Sequence, residues 1–225
     1  MCIINFKSFF SIIFVMSSTV LFQSSTNAEA PANITPLKAL SLLMEGNNHF
    51  VKSEMKHLFY AAEAKDKLLE QQTPFAIIVG CSDSRVPPEI IFDRGLGELF
   101  VVRIAGNVIG PIEMDSVEFA VKHLNVPLVM VMGHQNCGAV KAVLTESENV
   151  PPELDAIYPL IKGALKGCET IGANALVNAI NCNVKKGVET LKKSPVIEPF
   201  LIQKKVKVVG AYFNFETGKV QLISN

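Results

Sequence analysis

The sequence predicts one α/β domain with a mainly parallel central sheet flanked by helices, an N-terminal helical arm and a C-terminal hairpin. Three observations predict it. The apolar runs at residues 75–79, 99–104 and 128–132 are continuous rather than alternating, as strands buried on both faces are. Between the second and third, residues 114–124 carry apolar side chains at helical spacing, giving a β-α-β crossover that is right-handed by default. Two more strand-like runs, at 205–215 and 220–223, meet through Thr217-Gly218 and read as a hairpin.

Taken in order, residues 1–30 stand apart from the rest. Lys7 gives a weak positive start, residues 9–22 are an apolar core, and Ala28-Glu29-Ala30 is an A-x-A cleavage signature. The apolar run is shorter than the roughly 20 residues a spanning helix needs. It reads as a secretory signal, with an uncleaved anchor as the alternative, and residues 31–225 form the mature domain, exported and free of the membrane once cleaved. In a Gram-negative source the compartment would be the periplasm.

Thr35-Pro36 ahead of Leu37, Leu40, Leu43 and Met44 is a helix cap, a first-turn proline and an apolar stripe, with Gly46 as the expected stop. Residues 61–72 are strong helix formers. The first strand then runs into Gly80-Cys81-Ser82-Asp83-Ser84-Arg85. If the backbone stays extended, Cys81, Asp83 and Arg85 share one face. The third strand runs into His134-Gln135-Asn136-Cys137-Gly138, a loop opening into a helix. After Pro151-Pro152, residues 154–193 are helical by periodicity, with breaks expected at Gly163, Gly167, Gly172 and Gly187.

With 21 basic and 21 acidic residues the chain has no field to draw a polyanion, so nucleic acid is not a partner; a small molecule or a second copy is. Cys81, Cys137, Cys168 and Cys182 remain in the mature chain, and in an oxidising compartment four cysteines could form two disulfides. Cys168 and Cys182 have no histidine or acid at ligand spacing; buried free thiols are favoured for them over one disulfide. His49, His57 and His123 read as surface or satisfied core histidines, Asp93 and Arg94 as a solvated or interface pair, and Val117, Val121 and Leu124 as core or dimer contact.

The chemistry is in the two strand-end segments. Parallel strands end on one edge, so Cys81-x-Asp83-x-Arg85 and His134-x-x-Cys137 can meet in the crevice where open α/β sheets bind ligands. Two thiolates, an imidazole and a carboxylate complete a tetrahedral Zn²⁺ shell, one ion per chain. Arg85 offers Asp83 a bidentate alternative to the metal, which would open the fourth position to water and produce hydroxide near neutral pH. A Cys81–Cys137 disulfide would leave Asp83, Arg85 and His134 with nothing to do at that crevice.

Cys-x-Asp-x-Arg followed by His-x-x-Cys, with FVVRIAGN between them, resembles the β-class carbonic anhydrases. LLMEGNNHF, CSDSRVPPEIIFDRGLGELF and AYFNFETGKV extend the resemblance over nearly all of the mature chain. It implies zinc on Cys81, His134 and Cys137, with Asp83 as fourth ligand in a closed state. In an open state it implies an Asp83–Arg85 pair, Asp83 accepting a hydrogen bond from zinc-bound hydroxide. The implied reaction is CO₂ and water to bicarbonate and a proton, in a homodimer or homotetramer with sites near the interface.

The resemblance also assigns Gln72, Phe100, Ala105, Phe119 and Gly138 to the substrate pocket; Phe119 stands where many relatives have a partner-contributed tyrosine. Some members have an inhibitory bicarbonate site with a tryptophan where this chain has Ile78, so hyperbolic kinetics are expected although Arg103 is suitably placed. Rival readings are a carbon disulfide or carbonyl sulfide hydrolase on the same scaffold, and an exported thiol-redox or metal-binding protein.

Overall fold

The computed structural model describes residues 34–56, 69, 71–145 and 152–223. The secretory signal, His57 and most of the helix expected at 61–72 lie outside the described residues. Five strands form one sheet in the order β2-β1-β3-β4-β5. They are β1 (Ala76–Gly80), β2 (Leu99–Arg103), β3 (Leu128–His134), β4 (Lys207–Phe213) and β5 (Val220–Ile223). The first four are parallel and β5 runs antiparallel to β4, closing the expected hairpin.

β1 and β3 are buried at every residue, as continuous apolar runs require. β2 departs from that expectation: it is half-buried with Arg103 exposed, because it is an edge strand. Alternation sends Ile78, Met130 and Ala211 into one core and Ile77, Val79, Val129 and Val131 into the other. The second core is closed by α3 (Pro111–His123), through Val117, Ala120 and Val121, and by Val184, Val188 and Leu191 of α6 (Ala175–Lys192). The Val117-Val121-Leu124 stripe is therefore core. The first core holds Ala39 and Leu43 of α1 (Pro36–Lys52), Ile91 of the short α2 (Pro88–Ile91), Val140 of α4 (Gly138–Thr145) and Ile161 of α5 (Tyr158–Ala164). A short α7 (Glu198–Ile202) leads into β4. Among the described residues no helix is long and apolar enough to cross a membrane.

Four local expectations are corrected. Gly46 does not stop α1, which runs on to Ser53 in the left-handed region. Instead it lets the helix pass against Phe92, whose carbonyl oxygen would lie 1.7 Å from a Cβ there. Gly163 and Gly187 lie inside α5 and α6, whereas Gly167 and Gly172, at φ 76° and 87°, do break the chain. Gly187 lies against β3, where a Cβ would be 3.1 Å from Val131.

Asp93 is not solvated but buried, accepting from the Lys56 backbone N–H on both oxygens at 2.9 and 3.0 Å and meeting His49 Nδ1 at 3.0 Å. Arg94 is largely enclosed as well, over the Phe75 ring and bonded to the Leu42 carbonyl. Cys168 and Cys182, favoured above as free thiols, form a disulfide. Helical periodicity places each residue but does not show that the loop before α6 folds back onto that helix's second turn.

Candidate active site

β1 and β3 are adjacent and parallel, with Gly80 opposite Met132, so the loops after both open at one edge of the sheet. Cys81, His134 and Cys137 meet there, all buried, with their ligand atoms within 4.8 Å of one another. The backbone does not stay extended to Arg85. It turns at Ser84-Arg85, with the Val86 N–H donating to the Asp83 carbonyl at 3.1 Å. The Arg85 backbone N–H also donates to Asp83 Oδ1 at 3.0 Å, an Asx turn that brings the two side chains together.

Each of the three side chains is held by its own local structure. Cys81 Sγ accepts from the backbone N–H groups of Asp83 at 3.4 Å and Gly106 at 3.3 Å. Gly106 sits at φ 70°, and a Cβ there would come within 2.9 Å of Ile161, so only glycine brings that N–H to the sulfur. Cys137 stands at the N-terminus of α4, where the Ala139 and Val140 N–H groups face its sulfur. His134 Nδ1 lies 2.9 Å from the Gln135 carbonyl oxygen. A carbonyl can only accept, so Nδ1 carries the proton and Nε2 presents a lone pair. That Nε2 is buried without a hydrogen-bond partner among the described residues.

A hydrogen bond joins the two thiols. The Cys137 hydrogen bond pulls Cys81 down to about 4 against the cost of burial, and the same bond with burial pushes Cys137 upward. A preformed thiolate, a second buried thiol and a bare imidazole nitrogen are a donor set that fits a metal ion, and two sulfurs with one nitrogen suit zinc.

Asp83 stands at the open side of the trio, with Oδ2 at 4.0 Å from His134 Nε2. Arg85 engages it in a fork, Nε to Oδ1 at 2.9 Å and Nη2 to Oδ2 at 2.7 Å. Those bonds hold the Asp83 carboxyl well below the usual carboxylate range and raise the Arg85 guanidinium. The loop itself is tied from β2, since Arg103 donates to the carbonyls of Cys81 at 3.0 Å and Asp83 at 2.5 Å.

Of the expected pocket residues, Gly138 directly follows Cys137, and a Cβ on it would meet nothing within 4 Å, while Ala105 directly precedes Gly106, whose N–H reaches Cys81 Sγ. Gln72 is exposed ahead of β1, at the opposite edge of the sheet; the five residues of β1 span about 17 Å. Phe100 pairs with Ile77, three positions below the strand end, and Phe119 lies on α3 against His123. Ile78 is fully buried in β1. One residue that sequence reasoning missed is Phe215, whose ring lies beside both Arg85 and His134. No local pattern marks it, because its partners are far away in sequence.

The family model described as "Carbonic anhydrase" matches residues 76–220. Carbonic anhydrase 2 of Mycobacterium tuberculosis is 49% identical over 112 residues, 50% of this chain and 54% of that protein, so this alignment spans about half of each. The carbonic anhydrase of Mycolicibacterium smegmatis is 36% identical over 198 residues, 86% of this chain and 96% of that protein. The crystal structure of the β-carbonic anhydrase CafA of Aspergillus fumigatus superposes with a TM-score of 0.66 at 28% identity, covering 72% of this chain and 81% of that one. With its matched sheet and its Cys-x-Asp-x-Arg and His-x-x-Cys segments on one edge, the chain belongs to the β class of the carbonic anhydrase family.

Proposed function

We propose that this chain reversibly hydrates CO₂ to bicarbonate and a proton, with a zinc ion held by Cys81, His134 and Cys137. The observation that carries the reading is the buried Cys-His-Cys trio beside a carboxylate already paired by an arginine fork. Zinc, when bound, supplies Lewis acidity that lowers the pKa of a coordinated water to about 7.

The chain's residues do the rest. The Asp83 and Gly106 N–H groups hold Cys81 as a thiolate, and Gln135 keeps His134 in the tautomer that offers Nε2. Asp83, kept ionised by Arg85, is an acceptor only; it takes a hydrogen bond from the entering water and turns a lone pair toward CO₂. The open space at Gly138 admits substrate, and the released proton passes to buffer. If Arg85 lets go, Asp83 can reach the trio as a fourth ligand and close the site.

The oligomer belongs to the same proposal. Gln72, Phe100 and Phe119 lie away from the trio of their own chain, and Ile112 and Phe119 of α3 are 79% and 48% exposed. A homodimer, or a tetramer of such pairs, would cover that face and offer those residues to a partner's site. Export is supported by the Cys168–Cys182 disulfide, since disulfides persist in oxidising compartments.

The test is stopped-flow CO₂ hydration at pH 7 and pH 9, with zinc assayed on the same sample. One zinc per chain with hydration at both values supports the reading. Full zinc without hydration turns it toward carbon disulfide or carbonyl sulfide. A Cys81–Cys137 bridge without metal sinks it in favour of thiol-redox chemistry.

A further inference from the structure

Phe215 touches two members of the site and is itself held on several sides. The Arg85 Cζ lies 4.5 Å from its ring centroid, and the His134 ring lies 5.6 Å away, inclined at 60°. The Phe213 ring meets it edge-on at 5.6 Å and 89°. Its backbone N–H donates to Gln135 Oε1 at 2.9 Å, and the Gln135 N–H donates to the Phe213 carbonyl at 2.9 Å. The Phe215 ring is thus fixed by the turn after β4 and by the residue that follows His134.

Arg85 has the opposite character. Its side chain is 55% exposed, and its guanidinium meets Asp83 through a fork at the surface. A long, exposed arginine loses rotamer freedom when held in one geometry, so a surface pair is weak unless something else confines it. A planar guanidinium over an aromatic face supplies that confinement.

We propose that Phe215 is a positioning residue whose ring holds Arg85 in the orientation that meets both Asp83 oxygens, keeping Asp83 off the Cys81-His134-Cys137 trio. This rests on the reading that Asp83 has the metal as its alternative partner. Without the π face Arg85 swings free, the fork loosens, and Asp83 competes for the position that water and other small ligands need. A cation–π contact at an exposed site shifts such an equilibrium roughly two- to five-fold.

The experiment compares the zinc-loaded parent with Phe215→Leu, which keeps apolar bulk against His134 without a π face, and Phe215→Tyr, which keeps both. Three quantities are read: the ring-current shift of the Arg85 side-chain protons, the Arg85 Nε order parameter by NMR, and the affinity for thiocyanate by calorimetry. Upfield-shifted, ordered Arg85 protons are expected in the parent and in Phe215→Tyr. In Phe215→Leu the shift vanishes, the order parameter drops, and thiocyanate affinity and kcat/KM both fall, by at most the roughly two- to five-fold change in that equilibrium.

An unshifted Arg85 in the parent, or thiocyanate affinity in Phe215→Leu equal to the parent's, overturns the proposal. So does loss of zinc from Phe215→Leu, which would give the ring a structural role under His134. A parent that holds zinc but does not hydrate CO₂ sinks the proposed reaction instead, while the Arg85 shift and thiocyanate affinity still decide the role of Phe215.

Discussion

The Nδ1–H of His134 donates to the carbonyl of Gln135 at 2.9 Å, and this bond determines what the imidazole can do. It leaves Nε2 unprotonated, buried and facing two sulfurs. A buried acceptor without a partner is costly, so the site stores a demand that a metal ion meets. Removing the ring in His134→Ala should therefore cost more metal affinity than the roughly 10–100-fold typical of losing an outer hydrogen-bond partner. Zinc competition with a chelator checks this; parent-like affinity would show that the metal sits elsewhere.

The thiol pair predicts how metal uptake depends on pH. Cys81 is lowered to about 4 and Cys137 is raised, so between pH 5 and 7 the metal-free pair holds one proton. Binding through two thiolates must expel it, so affinity should fall about tenfold for each pH unit of acidification in that window, and more steeply below about pH 4, where Cys81 also takes up a proton. Calorimetry at pH 6, in buffers of different ionisation enthalpy, counts the protons. Release of no proton at pH 6 would show that the metal-free pair does not hold one.

Asp83 is positioned by a fork and not by burial, which separates its charge from its shape as variables. Asp83→Asn keeps size and removes the charge that draws Arg85 and that, in the proposed reaction, receives the water's hydrogen. With zinc unchanged, kcat/KM for CO₂ should fall about 100-fold, the scale on which misplaced reactants lose rate. Arg85→Lys keeps the charge but offers no planar fork, and should fall between the parent and Asp83→Asn. Stopped-flow hydration on samples of equal zinc content orders the three; Asp83→Asn at parent rate would remove the carboxylate from the mechanism.

What was legible in the sequence follows from range. β1, β3 and the terminal hairpin announce themselves in four to eight neighbouring residues, and the two ligand segments are short enough to read whole. Placing both at strand ends was sufficient to predict that they meet. The turn at Ser84-Arg85 was not legible, because an apolar strand gives no sign of where extension stops. Gly46 looked like a helix end because its reason for being glycine, the Phe92 carbonyl, lies 46 positions along the chain. Phe215 and the buried Asp93 were missed for the same cause: their partners come from other elements.

The Cys168–Cys182 bridge carries the last prediction. It joins the loop before α6 to that helix across a sequence separation of 14 residues. One residue on, Asn183 donates to the Gly106 carbonyl at 2.7 Å, and the Gly106 N–H in turn holds Cys81 Sγ. Closing a loop of about this size restricts the unfolded chain by about 3 kcal/mol, so the Cys168→Ser/Cys182→Ser double variant should lose about that much unfolding free energy. Zinc affinity should change little, since the Asn183 bond is made from within a helix that also packs through Val184, Val188 and Leu191. Urea unfolding of both proteins with zinc bound measures the first effect and chelator competition the second. Equal stabilities would mean that the loop is already ordered in the unfolded chain. A large loss of zinc would mean that the bridge, rather than the helix packing, places Asn183 beneath Gly106.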